Sequence, residues 1–298
     1  MRKVTFFYIG AIFGLILAAC GGKPTSSPVP EKTIAMTPTI AFTATPTEPP
    51  MALRVNGEGL TQVEYDAEMH RLQQALKDTG QTLSADEQKK KIQAELIGQI
   101  LLAQGATQSG NKVSDAQLDE KIKLSVATAG GQEKFNSWLQ KNFYTPETFR
   151  IATKRLMLAQ TQRDVIAASV PEKTEQVHAR QILVFLQTTA DQVMGQLKSG
   201  SDFETLAFLY NPQTGGDLGW FPRGYLLVPQ VEEAAFSLQP GQYSQIIPSD
   251  YGFHIVYIIE KSSDQPLLVA AQRLLQRKAV DDWLKQAQTG SRIEILAK

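Results

Sequence analysis

The stretch GGDLGWFPRG at residues 215–224 combines four glycines with a Trp-Phe pair. Such a pattern can form a phosphate-binding loop, a tight turn under a core, or part of an active site. Glycine-rich loops hold phosphate when they run from a strand into a helix N-terminus and carry a following lysine. Here the glycines follow a predicted helix, that lysine is absent, and Asp217 adds negative charge. The phosphate site is therefore disfavoured, which leaves a tight turn under a core or part of an active site.

A second residue with chemical potential is His254, which lies in the run Gly252–Ile259. The β-branched and aromatic residues that fill this run predict a β-strand. A histidine there is either a functional group or a half-buried side chain satisfied by a neighbour. The strand pattern alone does not decide between the two.

Several short motifs follow the glycine-rich stretch in a fixed order: Val228-Pro229, EEAAF at 232–236, PGQYS at 240–244 and YGFHI at 251–255. Together they resemble the parvulin-type peptidyl-prolyl cis-trans isomerases, over about residues 175–261. The resemblance implies rotation about X–Pro bonds. That rotation crosses a barrier of about 18–20 kcal/mol without breaking a bond. It calls for an apolar pocket and polar groups, and for no cofactor and no metal.

The resemblance also implies roles for individual side chains. His254 matches the family's histidine on the last strand, and Gln181 lies where a second histidine is common, so both are predicted catalytic residues. Four further residues are predicted to bind the substrate: Phe221, Leu226, Val231 and Ser249. For the three apolar ones, ordinary core packing remains an equal alternative.

This site departs from the family pattern. The family commonly reads A-R-H-I-L-V on its first strand, whereas residues 179–184 read ARQILV. His178 does not replace the missing imidazole, because a side chain three positions away on a strand points to the opposite face. Gln181 can still donate and accept hydrogen bonds but cannot titrate. Val231 stands where a phenylalanine is frequent, and the site is therefore predicted to be partly degenerate.

The N-terminus has the features of an export signal. Arg2 and Lys3 precede a 16-residue apolar run, Val4–Ala19, which is shorter than the roughly 20 residues that span a bilayer. The run ends in LAAC, which resembles the lipobox of bacterial lipoproteins. Cys20, the sole cysteine, is thus the predicted lipidation site, although a cysteine there by chance is the alternative. An intramolecular disulfide is excluded.

The next segment has the composition of a tether. Residues 23–50 contain seven prolines and seven threonines and almost no large apolar side chains, so they cannot build a core. We therefore predict a signal peptide at residues 1–20 and a disordered Pro/Thr-rich tether at 21–50. The tether would lift a folded part off the membrane.

Residues 51–170 read as helices after one leading strand at LRVNG (53–57). Ser84 and Glu87 form a capping box, Ser114 begins another helix, and Thr145-Pro146 starts a long one. A parvulin domain at 175–261 and a helix and strand at 265–298 that pack on the N-terminal domain complete the chain. Within the parvulin domain, Ser201-Asp202-Phe203-Glu204 is another capping box, which opens a helix to about Tyr210. The predicted fold class is α+β: an all-helical N-terminal region closed by the C-terminal helix, and a parvulin domain with a small, mainly antiparallel sheet and surrounding helices.

This order of parts is similar to that of the PrsA-like foldases and SurA-like chaperones. With 30 basic and 30 acidic residues, the chain has no net attraction to nucleic acid. The function expected from the resemblance is a membrane-anchored, extracytoplasmic foldase that isomerises X–Pro bonds in exported polypeptides containing proline. The alternatives are a non-catalytic holdase that binds unfolded exported chains, and a structural surface lipoprotein.

Overall fold

The computed structural model describes residues 49–297. The predicted signal peptide, the lipidation site Cys20 and all but the last two residues of the tether lie outside the described residues. Contacts divide the chain into two compact units, one formed by residues up to Thr161 together with those from Gly290, the other by Gln162–Thr289. The mixed composition of helices and small antiparallel sheets confirms the predicted α+β class.

The elements are, in chain order, β1 Met51–Val55, β2 Glu58–Thr61, α1 Gln62–Asp78, α2 Ala85–Gln108, α3 Asp115–Thr128, α4 Gln132–Lys141, α5 Pro146–Ala168, β3 Lys173–Val184, α6 Gln187–Lys198, α7 Phe203–Tyr210, β4 Asp217–Pro222, α8 Pro229–Ser237, β5 Ile247–Ser249, β6 Gly252–Pro266, α9 Val269–Thr289 and β7 Ile293–Ile295. Helix α5 begins in the first unit and ends in the second.

The helices of the first unit begin at local sequence signals. The side chains of Thr61, Ser84 and Ser114 each accept a hydrogen bond from the backbone N–H of the third residue of the helix that follows. The side chain of that third residue accepts the backbone N–H of the capping residue in return. Such capping boxes satisfy amide groups that would otherwise have no partner. The predicted helix starts after Ser84 and Ser114 and at Pro146 are confirmed.

A three-stranded antiparallel sheet of order β2-β1-β7 completes the first unit. Leu53 pairs with Ile295, so the C-terminal strand returns to the LRVNG segment. The prediction of a single leading strand was wrong, because Glu58–Thr61 forms β2 through a hairpin at Asn56-Gly57. Asn56 and Gly57 both have positive φ, as tight hairpin turns require.

The second unit is built on a four-stranded antiparallel sheet of order β4-β3-β6-β5. Alternation along β3 sends Ile182 and Val184 to one face, where they pack against α6 and α7 residues. Val177 and Ala179 point to the other face, which α8 covers. The candidate site lies on this second face.

Three local features differ from the sequence predictions. The strand β4 was not predicted, because its glycine interrupts the alternating pattern. Helix α7 is capped by Asp202, whose carboxylate accepts the Thr205 N–H, and not by Ser201. Helix α9 falls within the second unit, with Ala271 its buried residue, whereas the sequence pattern predicted that this helix packs on the N-terminal domain.

Two features are absent from the described residues. Among the helices between residues 49 and 297, none has the length and apolarity needed to cross a membrane. Within the same range, no group of three or more His, Cys, Asp or Glu side chains is arranged to hold a metal ion.

Candidate active site

The glycine-rich stretch allows one strand to approach another closely. Gly215 and Gly216 have φ of +57° and +68°, a region that side chains disfavour. The Gln181 N–H donates to Gly216 O at 2.9 Å, and a Cβ at residue 216 would lie 1.9 Å from the Gln181 carbonyl oxygen. The stretch is therefore a tight turn that fixes the backbone of Gln181.

His254 joins two of the predicted site residues. Its Nδ1 lies 2.9 Å from Gln181 Oε1, and its Nε2 lies 2.7 Å from Ser249 Oγ. In the neutral ring, Nδ1–H donates to the Gln181 amide oxygen and Nε2 accepts the Ser249 hydroxyl proton. Ser249 Oγ also accepts the Tyr251 N–H at 3.0 Å. The imidazole is thus held at both nitrogens.

Sheet register brings these three side chains together. Gln181 pairs with Val256, and Leu183 pairs with His254, so Gln181 and His254 are diagonal neighbours on one face of β3 and β6. Ser249 ends β5 and faces Gly252 across the turn into β6. The predicted catalytic pair is therefore brought into contact across 73 residues of sequence.

The imidazole is buried, with 4% of His254 exposed. Burial lowers the pKa of His254 because water no longer stabilises the charged ring. Gln181 and Ser249 are half-buried. These two side chains, and not the ring itself, form the polar surface of the group.

The apolar residues predicted for the pocket gather on the same face. Phe221 and Val231 are 0% and 2% exposed and belong to one cluster with Ala179, Val256 and Ile258. Phe221 meets Phe236 edge to face. Leu226 packs against this cluster and stays half-buried. Phe221 and Val231 are therefore core residues, whereas Leu226 offers surface.

His178 lies apart from this group, as predicted. Its Nε2 is 2.9 Å from Asp217 Oδ1, and its ring tilts against Trp220. Burial opposes ionisation of Asp217, but hydrogen bonds from the Gly219 N–H and from His178 lower its pKa below the usual range. His178 thus takes part in a separate acid–histidine contact.

Three residues near the site were missed by sequence reasoning. Leu218 and Ile247 are half-buried and pack on the same apolar cluster, and Ile247 pairs with His254. Glu232 accepts hydrogen bonds from the backbone of Gly224, Tyr225 and Leu226. Leu218 lies inside the glycine-rich stretch, a position that could have drawn attention to it. The contacts of Glu232 had no signal in the sequence.

Sequence profiles of two known families match the chain. The PPIC-type PPIase domain family matches residues 166–260, which include all of the site described above. The SurA-like N-terminal domain family matches residues 36–163.

The chain is similar to two named proteins and to one solved structure. The chain is 30% identical over 224 residues to the foldase protein PrsA of Caldanaerobacter subterraneus subsp. tengcongensis, covering 68% of this chain and 71% of that protein. It is 33% identical over 150 residues to the chaperone SurA of Burkholderia pseudomallei, covering 46% of this chain and 32% of that protein. A crystal structure of the peptidylprolyl isomerase PrsA from Bacillus cereus aligns with 20% identity and a TM-score of 0.45, over 78% of this chain and 84% of that one.

Proposed function

Because the chain belongs to the PrsA foldase family, we propose that it catalyses cis-trans isomerisation of X–Pro bonds in unfolded, exported polypeptides. The enzyme class is that of a parvulin-type peptidyl-prolyl cis-trans isomerase, since the PPIC-type PPIase domain covers residues 166–260. We assign the catalytic roles to His254 and Gln181. Substrate binding is assigned to Ser249 and Leu226, and the buried Phe221 and Val231 are assigned as the core on which Leu226 packs.

One observation carries this assignment: a polar group lies on the same sheet face as an apolar cluster. The polar group is the Gln181–His254–Ser249 chain of hydrogen bonds. The apolar cluster is centred on Phe221 and Val231 and bordered by Leu226. A prolyl ring is apolar, and the peptide carbonyl next to it is polar, so a substrate needs both surfaces side by side.

The physical task is to lower the barrier to rotation of the X–Pro bond. A twisted amide loses resonance, so its nitrogen becomes a better hydrogen-bond acceptor and its carbonyl less polar. Removing water from the carbonyl and offering donors to the twisted form favour the transition state. The half-buried Gln181 keeps its NH₂ group as a donor because its Oε1 accepts the His254 Nδ1–H, and the buried His254 ring holds Gln181 and Ser249 in place.

The site is proposed to be partly degenerate. Gln181 replaces the second imidazole of the family pattern, but the structure gives it the hydrogen bond to His254 Nδ1 that orients the ring. A glutamine can supply this contact without titrating. We therefore propose catalysis that is weaker than that of a two-histidine site.

We further propose that the protein acts outside the cytoplasm, anchored through lipidated Cys20. The support is the lipobox-like LAAC sequence after a short apolar run. A lipid anchor of several acyl chains would hold the protein firmly, because a single chain binds a membrane only marginally. Labelling of wild-type and Cys20→Ser cells with a radioactive fatty acid tests this anchor.

A second candidate function is holding of unfolded chains without catalysis. The first unit exposes large apolar side chains on α3 and α5: Leu124 is 57% exposed, Ile151 47% and Leu156 46%. A groove of about 650 Å³ beside Ile151 and Leu158 adds apolar surface. We propose this exposed apolar surface as the part of the first unit that would contact an unfolded chain.

The isomerase activity has a direct test. The full chain, purified in mild detergent, is expected to accelerate cis-to-trans conversion of an Ala-Ala-Pro-Phe tetrapeptide, measured by a protease-coupled assay. Equal rates with and without the protein would exclude catalysis. Suppression of aggregation of an unfolded client, measured by light scattering in the same preparation, would then support the holding function alone.

Activity is expected to depend on pH through His254. Because burial lowers the pKa of His254 below the ordinary value of about 6.5, the ring takes up its proton at a lower pH than a free imidazole does. We expect kcat/KM to fall on the acid side with a midpoint below pH 6.5. A midpoint at or above pH 6.5 would contradict this assignment.

The lowered pKa of His254 also makes the free energy of unfolding depend on pH. The unfolded chain binds a proton at His254 near pH 6.5, whereas the folded chain does so only at lower pH. The stabilising contribution is therefore complete above pH 6.5 and is lost as the pH falls through the folded pKa. Urea denaturation is expected to show a smaller loss of stability between pH 6.5 and 5 for His254→Asn than for the wild type.

The stability contributed by the Asp217 carboxylate is lost in a different pH range, below about pH 4, because the pKa of Asp217 is also lowered.

A further inference from the structure

The loop between β4 and α8, residues 223–228, is held by one side chain. The Gly224 N–H donates to Glu232 Oε1 at 2.6 Å, and the N–H groups of Tyr225 and Leu226 donate to Oε2 at 2.9 and 3.0 Å. Hydrogen bonds to a carboxylate are shorter and stronger than those between neutral groups. Three consecutive amides thus converge on the Glu232 carboxylate.

This contact ends at the leucine of the loop that turns inward. Leu226 packs against the cluster of Phe221 and Val231, whereas the next residue, Leu227, is 86% exposed. Two leucines have the same hydrophobicity, so burial of apolar surface does not choose between them. The last amide donated to Glu232 is that of Leu226, and this fixes the backbone at the residue that faces the cluster.

The position of Glu232 on α8 adds a second link to the cluster. The preceding residue, Val231, is 2% exposed and belongs to the cluster. The first turn of α8, which begins at Pro229, therefore supplies both an apolar side chain and the anchor of the facing loop. A change at Glu232 would alter the distance between Leu226 and Val231.

We infer that Glu232 is a positioning residue for prolyl binding, which holds residues 224–226 so that Leu226 forms one wall of the prolyl site. This inference rests on the proposed function, because it takes the apolar cluster to be that site. Glu232 transfers no proton and need not touch the substrate. Its effect is expected on affinity, not on the rotation barrier.

The test compares two adjacent glutamates in the full chain. Glu232→Gln keeps the side-chain volume but replaces one acceptor oxygen with an NH₂ group, which cannot accept a hydrogen bond. Glu233→Gln is the matched control, since Glu233 is exposed on the same helix. Three quantities are measured: hydrogen exchange of a peptide spanning residues 223–228, the Kd of the Ala-Ala-Pro-Phe tetrapeptide, and KM and kcat for its isomerisation.

Glu232→Gln is expected to speed exchange in the 223–228 peptide by about tenfold, the change that loss of one charge-assisted hydrogen bond gives. Kd and KM are expected to rise by about tenfold with kcat changed less than about twofold. Glu233→Gln is expected to match the wild type. Circular dichroism of both variants is expected to match as well.

Distinct results would overturn the inference. Unchanged exchange in Glu232→Gln would show that the carboxylate does not hold the loop, and faster exchange with unchanged Kd would show that the loop does not form the prolyl site. A fall in kcat with constant KM would show that Glu232 affects the rotation barrier and not substrate binding. A wild-type protein that binds the tetrapeptide without accelerating its isomerisation would refute the proposed catalysis, whereas the Kd comparison would still decide the role of Glu232.

Discussion

Gly216→Ala is expected to lower the free energy of unfolding of the second unit by about 4 kcal/mol or more, which places it among severe single substitutions. The added Cβ would lie 1.9 Å from Gln181 O and 3.0 Å from Gln181 C, both backbone atoms that no side-chain rotation can move. The change also forces alanine into φ of +68°. Urea denaturation followed by circular dichroism measures the loss.

Gly219→Ala is the matched control for this substitution. Gly219 has nearly the same φ, +66°, but a Cβ there would meet no atom within 4 Å. Its cost is therefore limited to the left-handed backbone, about 1–2 kcal/mol. The difference between the two variants isolates the close approach to Gln181. Equal losses would show that backbone conformation alone explains the glycine at 216.

The clash at residue 216 also bears on the active site. Gly216 O accepts the Gln181 N–H, so a shift of this turn displaces the residue that contacts His254 Nδ1. Gly216→Ala protein that stays folded at low temperature is therefore expected to lose isomerase activity as well. The glycine-rich stretch thus serves the site through backbone packing.

His254→Ala is expected to lower kcat/KM for the tetrapeptide by about a hundredfold or more, in the range found when a positioned catalytic group is removed. The substitution removes the ring that bridges Gln181 and Ser249 and leaves both half-buried side chains without that partner. The protease-coupled assay at pH 7.5 measures the loss.

His178→Ala is the control for this second prediction. His178 lies on the same strand as Gln181, but its ring contacts Asp217 and Trp220 on the opposite face. Its kcat/KM is expected to stay within about twofold of the wild type, because surface substitutions away from the site have small effects. Similar losses in both variants would mean that the assay reports general stability. His254→Asn, which keeps a polar side chain at the buried position, separates loss of catalysis from loss of folding.

These two sets of variants test different parts of the proposal. The glycine pair examines whether the turn at 215–216 fixes Gln181, and the histidine pair examines whether the polar group acts on the substrate. A large loss of stability in Gly216→Ala, together with no activity loss in His254→Ala, would support the structural role of the turn but refute the catalytic roles. The holding function would then be favoured by the exposed apolar surface of the first unit.

Much of the helical structure could be predicted from the sequence, because the residues that begin a helix act on positions only a few residues away. Ser84 and Ser114 cap helices through contacts with residues three positions away, and Pro146 occupies a first turn, where its missing N–H is harmless. The strand β2 was missed because four residues carry too little periodicity. Asp202 replaced Ser201 as the cap of α7, since both residue types cap helices and neighbouring candidates compete.

The sequence by itself determined the family resemblance, the α+β class and the identity of the candidate site residues, because ordered motifs and capping signals are read within short windows. The tertiary structure alone decided that His254 is buried between Gln181 and Ser249, that Phe221 and Val231 are core residues, and that Glu232 holds the loop of Leu226. These contacts depend on strand register and on the packing of α8 on the sheet, which join residues far apart in the chain. Local periodicity carries no information about such distances, so the site's geometry could not be predicted from the sequence.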